Sequence, residues 1–392
     1  MASSDVAVGT KSCSWRLPQT RSRALVSLPR NRFLTASYVP GGGNQIHTLS
    51  FQEEQNELTV ASSLDFEHGP VSCLSFGAKS NAACAVSRDS FFVWKVEEGE
   101  AGQQAGPTSA TFFQGLQQIT TSTPASASSS GGKKQAATSS WYPKVLHHCE
   151  WDPFESSRVA LTARDGVEVW DVVNEKEVVF LYDFPSSSGG GSGADCTASP
   201  SVVHATAFDT HHSSTLALGV NADLMLWDFR DVGKPTSSAS GSGGVQKPKA
   251  SLTRKDAHLF GLTALSYNPN LPGQLLTAGE DGCWKQWDLR KMQAACVIHT
   301  PSGHSHWVTR ISHNSYHDQL LLSAGSDSQL RLWRVSSKPA NIVKTLSTFT
   351  AEDAIYSAAW SLSDPWTFAC LSYDGEVSVH QVPMEEKYRI LL

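Results

Sequence analysis

Residues 303–337, GHSHWVTRISHNSYHDQLLLSAGSDSQLRLWRVSS, gather the side chains of this sequence best suited to chemistry. His304 and His306 are two apart, and on a strand residues i and i+2 face the same way. The pair could therefore pinch Zn²⁺, with His313 and His317 following. His304, Ser323 and Asp327 also supply the residue types of a nucleophilic triad. A structural network fits these residues better. Ser323 lies at the end of an apolar run that reads as a buried strand, and no oxyanion donors are implied beside it. Asp327 can accept a hydrogen bond from His304. His304 can bond the Ser323 hydroxyl, and that hydroxyl can take the indole N–H of Trp333. Each such group left unpaired inside a protein costs roughly 1–3 kcal/mol, so four buried together must satisfy one another. His258, Thr277, Asp281 and Trp287 form a second full set. His147-His148 and His211-His212 read as structural in the same way. No GxSxG, P-loop, HExxH or GxGxxG stands in strand–turn–helix context. The chain is therefore expected to be no enzyme, with no catalytic, metal or cofactor-binding residues.

The elements that would hold these sets repeat. Within 303–337, Trp307, Val308 and Ile311 read as a first strand and Leu320–Leu322 as a second, buried on both faces. Ser326-Asp327-Ser328 is a turn, and Leu330, Leu332 and Trp333 make a third strand. From Trp287 to Trp333 is about 46 residues, near the roughly 40–45 of a WD40 blade. Trp94, Trp170 and Trp227 mark three earlier blades, and His380 stands at the equivalent place in a last one. A diverged first blade is read from a strand through Ala24, Val26 and Leu28, then FLTASY (33–38), NQIHTLSF (44–51) and Leu58–Leu64. The fold class is all-β, a seven-bladed WD40 β-propeller with disordered Ser/Gly-rich loop insertions. Residues 13–392 form a single propeller behind a disordered N-terminus, residues 1–12. The inserts at 97–110, 121–140, 185–200 and 235–249 are too poor in apolar residues to offset ordering entropy, and they are expected after third strands. A ring of blades leaves open edges unless it closes. The terminal KYRILL is expected to be a closing strand, with Tyr388, Ile390 and Leu392 on one face and part of the first 30 residues beside it.

Composition narrows the function. The net charge is −6 and the isoelectric point about 6.2, which argues against nucleic-acid partners. Eight scattered Cys without a CxxC pair suit a reducing compartment. No apolar run approaches the ~18 residues of a transmembrane helix, so direct membrane insertion is not expected. The basic stretch 11–32 reads as a strand with a solvated face rather than a transit peptide, because its alternation is visible.

GHSHWV, YHDQLLLSAGSDS, AAWSLSDPWTFACLSYDGEV and KYRILL resemble the WD40 proteins that interact with the EARP and GARP tethering complexes. NQIHTLSF and AHLFGLTALSYNPN are also similar, and the resemblance covers most of residues 33–392. It implies a cytoplasmic, non-enzymatic scaffold, peripheral at endosomes and the trans-Golgi network. Such a scaffold would bind tethering subunits and aid their recruitment in endosomal recycling and retrograde traffic. The propeller is expected to be monomeric. Lys95 and Arg334 depart from the pattern, standing where a WD Asp belongs.

Two WDxR motifs, ending in Arg230 and Arg290, raise an alternative. They resemble the adaptor-docking box of cullin-RING ligase substrate receptors, in which the Arg reaches an adaptor carboxylate bidentately. A peroxisomal import receptor of WD40 type would carry WDxR too. For a tethering partner, the expected surface is the face of the loops that lead into first strands, with His306, Trp307, Asp353 and Tyr373, and Trp307 near the channel mouth. The opposite face offers Tyr316, His317, Asp364 and Trp366.

Overall fold

The computed structural model describes residues 12–18, 21–96, 114–120, 145–164, 166–174, 176–180, 202–230, 250–291, 298–300, 303–336 and 342–392. The four low-complexity inserts lie outside the described residues. Their places in the chain differ from expectation. Segments 97–110 and 235–249 follow third strands, whereas 121–140 follows the fourth strand Gln114–Thr120 and 185–200 follows the fourth strand Lys176–Phe180.

Seven four-stranded antiparallel sheets make the blades of a β-propeller. The first strand of each blade lies against that of the next, from Ser22–Leu28 of blade one to Ile355–Trp360 of blade seven and back to blade one. Apolar clusters fill the space between blades. Blade six, for example, presents Leu320, Leu322, Leu330 and Leu332 to Ile355, Trp360 and Phe368 of blade seven. This explains the continuous apolar runs of the second strands: Arg32–Ser37, Ala82–Ser87, Leu320–Gly325 and Thr367–Ser372 are buried at every residue because each has a blade on both sides.

Both polar quartets are assembled. In blade six His304 Nε2 is 2.8 Å from Ser323 Oγ, His304 Nδ1 is 2.9 Å from Asp327, and Trp333 Nε1 donates to Ser323 Oγ at 2.8 Å. In blade five the corresponding distances are 2.7 Å for His258–Thr277, 3.0 Å for His258–Asp281 and 2.9 Å for Trp287–Thr277. A Cβ at Gly325 would stand 2.4 Å from His304 Nδ1, so the strand needs glycine there for the imidazole to reach the turn. Blade three uses another partner, and Trp170 Nε1 donates to Glu168 at 2.9 Å. In blade seven His380 Nε2 sits 2.9 Å from Ser378 Oγ, and the ring packs on Phe349 and Phe368.

Ring closure corrects the sequence reading. The strand that completes blade seven is Ser12–Arg16, antiparallel to Glu376–Gln381 in the register Ser12↔His380 to Arg16↔Glu376. The Arg16 guanidinium clamps the join, 2.7 Å from Glu352, 2.8 Å from Asp374 and 3.4 Å from Glu376. KYRILL is not a strand. Met384–Leu391 is a helix that starts after Pro383 and carries Glu385 and Glu386 in its first turn, where acidic groups suit the helix dipole. Glu386 and Ile390, one turn apart, face the propeller. Glu386 is buried and pairs with Arg334 at 3.0 Å and Arg389 at 2.5 Å, while Ile390 packs on the blade six–seven cluster. Tyr388 and Leu392 are exposed, so the three residues expected on one strand face do not share a face. An alternating run this short fits either period, and Pro383 with the acidic first turn decided for helix.

Two stability outcomes follow. Trp333→Ala deletes a buried aromatic and strands Ser323, and is expected to cost about 3–5 kcal/mol in chemical denaturation. His380→Ala removes a smaller ring whose polar partner is on its own strand, and is expected to cost less; equal losses would contradict the blade-seven assignment. The second outcome concerns His313, which fills the position held by Tyr267 in blade five and Trp360 in blade seven. Burial lowers its pKa to about 3, so the fold holds it neutral. The unfolded chain, with an ordinary imidazole pKa near ~6.5, takes up the proton first. Stability is therefore lost as pH falls from about 6.5 toward 3, by up to ~1.4 kcal/mol per unit for this group. His313→Phe is expected to flatten the fall in melting temperature between pH 6 and 4, and an unchanged slope would contradict a neutral buried His313.

Candidate functional site

The quartet carboxylates do a second job. Besides binding His258, Asp281 accepts the backbone N–H of Leu259 at 3.0 Å, and Asp327 accepts that of Ser305 at 3.0 Å. Burial opposes ionisation of both carboxyls. The hydrogen bonds from the imidazoles and from backbone N–H groups outweigh it and hold both pKa values below the usual carboxylate range. Each carboxylate thereby pins a loop that leads into a first strand. The blade-five loop presents Leu259, 77% exposed, and Phe260, 58% exposed; the blade-six loop presents Trp307, 47% exposed. The two loops meet across the Asp281–Gly282 turn, where a Cβ on Gly282 would lie 2.6 Å from the His304 carbonyl oxygen. Three large apolar side chains therefore stand in water on adjoining rigid loops. Exposed clusters of this kind, unlike scattered single residues, mark binding surfaces.

His306 and Trp307 form one unit. Their rings are 5.2 Å apart, His306 Nδ1 is 2.5 Å from Ser326 Oγ, and the Ser326 N–H donates to the Trp307 carbonyl at 2.9 Å. Asp353 caps the next loop by accepting the Ala354 N–H at 2.7 Å. Tyr373 is only half-buried, but its faces are taken. Arg21 and Arg23 lie 5.2 and 5.5 Å from its centroid, and Tyr356 packs at 5.1 Å.

Inside this rim the central channel opens as a cavity of about 570 Å³, lined by Arg23, Tyr38, Arg164, His204, Arg310 and Tyr356 among others. Trp307 is not among the lining residues and stands outside the mouth. His147 and His148 also line it, and burial lowers their pKa values to about 4 and about 3. Deeper in the channel, burial raises the Glu150 carboxyl to about 8 against the opposing charge of Arg310.

The opposite face has a different character. Trp366, the alternative anchor, is stacked on His317 at 4.5 Å and packed into the blade six–seven cluster, with Lys387 of the C-terminal helix over its ring. Tyr316 is exposed and donates its hydroxyl to the Leu362 carbonyl at 2.6 Å. Asp364 caps the turn to Trp366, accepting its N–H at 3.1 Å. The WDxR arginines are exposed, and each is paired with the Asp of its own motif. Arg290 holds its own Asp288 bidentately at 2.9 Å through both Nε and Nη2, and Arg230 grips Asp228 in the same manner.

The histidines that suggested a metal are separately engaged: His304 in its quartet, His306 by Ser326, His313 beside Ser266, and His317 on Trp366. Glu352, Asp374 and Glu376 bring carboxylates within 4.8 Å of one another, and the Arg16 guanidinium already supplies the cation there.

The sequence reading singles out Trp307 but not its exposed neighbours Leu259 and Phe260. That pair stands one glycine before the apolar strand Leu262–Tyr267, and apolar residues so near a buried strand read as part of it. Arg23, Arg164 and Arg310 come from three blades, and only closure of the ring brings them together.

Comparison with known proteins agrees with the fold. The family model described as EIPR1 beta-propeller matches residues 172–333. The chain is 28% identical over 271 residues to the EARP-interacting protein 1 of Caenorhabditis elegans, spanning 63% of this chain and 67% of that one. It is 26% identical over 408 residues to the EARP and GARP complex-interacting protein 1 of Macaca fascicularis, spanning 92% and 93%. The WD repeat-containing protein DWA2 of Arabidopsis thaliana is 28% identical over 190 residues, 45% of this chain and 48% of that protein. With seven blades assembled and nearly the whole length aligned, this chain is a WD40-type propeller similar to the EARP and GARP complex-interacting proteins.

Proposed function

We propose that this protein is a non-enzymatic scaffold that binds tethering complexes of the EARP and GARP type and aids their recruitment to endosomal and trans-Golgi membranes. The observation that carries the reading is the apolar cluster of Leu259, Phe260 and Trp307, held on pinned loops of one face. The names of the similar proteins supply the partner class. Pinned loops lower the ordering cost of association, so exposed aromatics on them make efficient anchors. The docking surface is the blade five–six sector, with His306 beside Trp307, and it extends through Asp353 toward Tyr373. Membrane attachment in this reading is indirect, through the partner; among the described residues no helix is long and apolar enough to cross a membrane. The cullin-ligase reading is less favoured, because an adaptor carboxylate would have to displace Asp228 or Asp288 from an arginine that each already holds.

The test is affinity capture of tethering subunits by the tagged protein in cells. Trp307→Ala and the double variant Leu259→Ser with Phe260→Ser, each with a wild-type melting temperature, are expected to lower recovery at least tenfold. Trp366→Ala is expected to leave recovery unchanged. Full recovery with both rim variants would contradict this surface.

A further inference from the structure

We propose that the mouth of the central channel is a binding site for a compact soluble polyanion of the polyphosphate class. The chain carries more acidic than basic residues, 37 against 31, yet no Asp or Glu lines this cavity among the described residues. Three arginines do, each from a different blade: Arg23 from the first, Arg164 from the third and Arg310 from the sixth.

None of the three has its charge matched at close range. The backbones of Arg164 and Arg310 are engaged, Arg164 through its carbonyl to the Val203 N–H and Arg310 in the blade-six sheet, but among the described residues neither guanidinium makes a hydrogen bond or salt bridge. Arg23 lies against the rings of Tyr38 and Tyr356, 4.5 and 5.2 Å from their centroids, and its buried Nε has no hydrogen-bond partner. Contact with aromatic faces restrains a guanidinium without using its N–H donors, and a guanidinium fork suits bidentate capture of an oxyanion. Arg310 reaches toward the far wall, where its charge acts on His148 and Glu150. Burial raises the Glu150 carboxyl to about 8, which weakens its ability to cancel that charge. Other carboxylates act from outside the lining residues, Glu280 on His204 and Asp152 on Glu150. The channel mouth is therefore cationic at neutral pH, inside an acidic protein.

Cations gathered around one cavity repel one another, and a polyanion bound among them relieves that repulsion. Ser72 also lines the cavity, whereas the hydroxyls of Thr263, Thr309 and Ser357 on the same wall donate to the carbonyls of Val308, Ile355 and Leu25, which leaves the arginines as the main donors. The opening, about 570 Å³, admits a compact molecule and not a folded domain. This inference stands apart from the tethering reading, since the arginines lie inside the rim that carries Trp307.

Isothermal titration of the full chain with pyrophosphate and with inositol hexakisphosphate tests the site. The expected result is saturable binding of at least one of them by the wild type. Binding should weaken at least tenfold in Arg310→Met and in Arg164→Ala, and remain unchanged in Lys79→Ala, which removes an exposed cation outside the channel. Arg164 is exposed, so its variant leaves the core intact if Arg310→Met does not fold. A second readout separates a ligand site from a structural one. Without ligand, Arg310→Met is expected to melt at or above the wild-type temperature, because it removes an unmatched charge. A clear fall in melting temperature would make Arg310 a structural residue and overturn the assignment. So would absence of binding, or equal weakening by Lys79→Ala, which would make the polyanion an adventitious ligand of surface charge. Binding to vesicles of phosphatidylcholine with a phosphoinositide, with none to free inositol hexakisphosphate, would also overturn it in favour of a lipid headgroup.

Discussion

Closure of the ring is the constraint on which everything else depends. Seven four-stranded sheets bury their faces only if the last blade meets the first, and a blade seven of three strands would leave Glu376–Gln381 as an open edge beside blade one. The strand Ser12–Arg16 removes that edge. It contributes Trp15 and Cys13 to the cluster shared by blades one and seven, where Leu25, Phe33, Leu49, Leu371 and Val379 are buried. Arg16 ends the strand in a pocket of three carboxylates, so the join is held by main-chain pairing, apolar contact and charge at once. That triple support matters because the two partners lie at opposite ends of the chain, and bringing them together carries the largest loop-closure entropy in the molecule.

A closed ring then makes small local networks useful. The quartets of blades five and six satisfy four buried polar side chains each, and the same aspartates hold the loops at Leu259 and Ser305. The residues that stabilise the blades are thus the ones that hold the loops of the proposed docking surface. A loop whose backbone is fixed by a buried carboxylate can expose Phe260 or Trp307 to water without the side chain collapsing onto the core. Closure also creates the channel, where arginines from blades distant in sequence converge on one cavity.

What was legible in the sequence follows from the range of each signal. Blade six could be read nearly strand by strand, because its apolar alternation, its turn and its polar quartet all fall within 303–337 and agree. Blade one lacks the quartet, yet the turn at Pro40–Gly43 and the strands on either side were still visible. The closing strand was not. SCSWR is five residues long with a half-exposed burial pattern, and KYRILL alternates better. Local pattern favoured the wrong terminus because the decision rests on pairing across the whole chain. The two faces differ in the same way. Trp307 and Trp366 are equally conspicuous in sequence, and only packing separates them: one is exposed, the other lies between His317 and the C-terminal helix.

Hydrogen exchange on the full chain and on a chain lacking residues 1–17 tests ring closure most directly. The account predicts that the truncated chain loses protection in 376–381 and in the first strand of blade one, residues 22–28, with a cooperative loss of global stability. Protection of 376–381 equal to that of the full chain would mean that another segment completes blade seven, and would contradict the account.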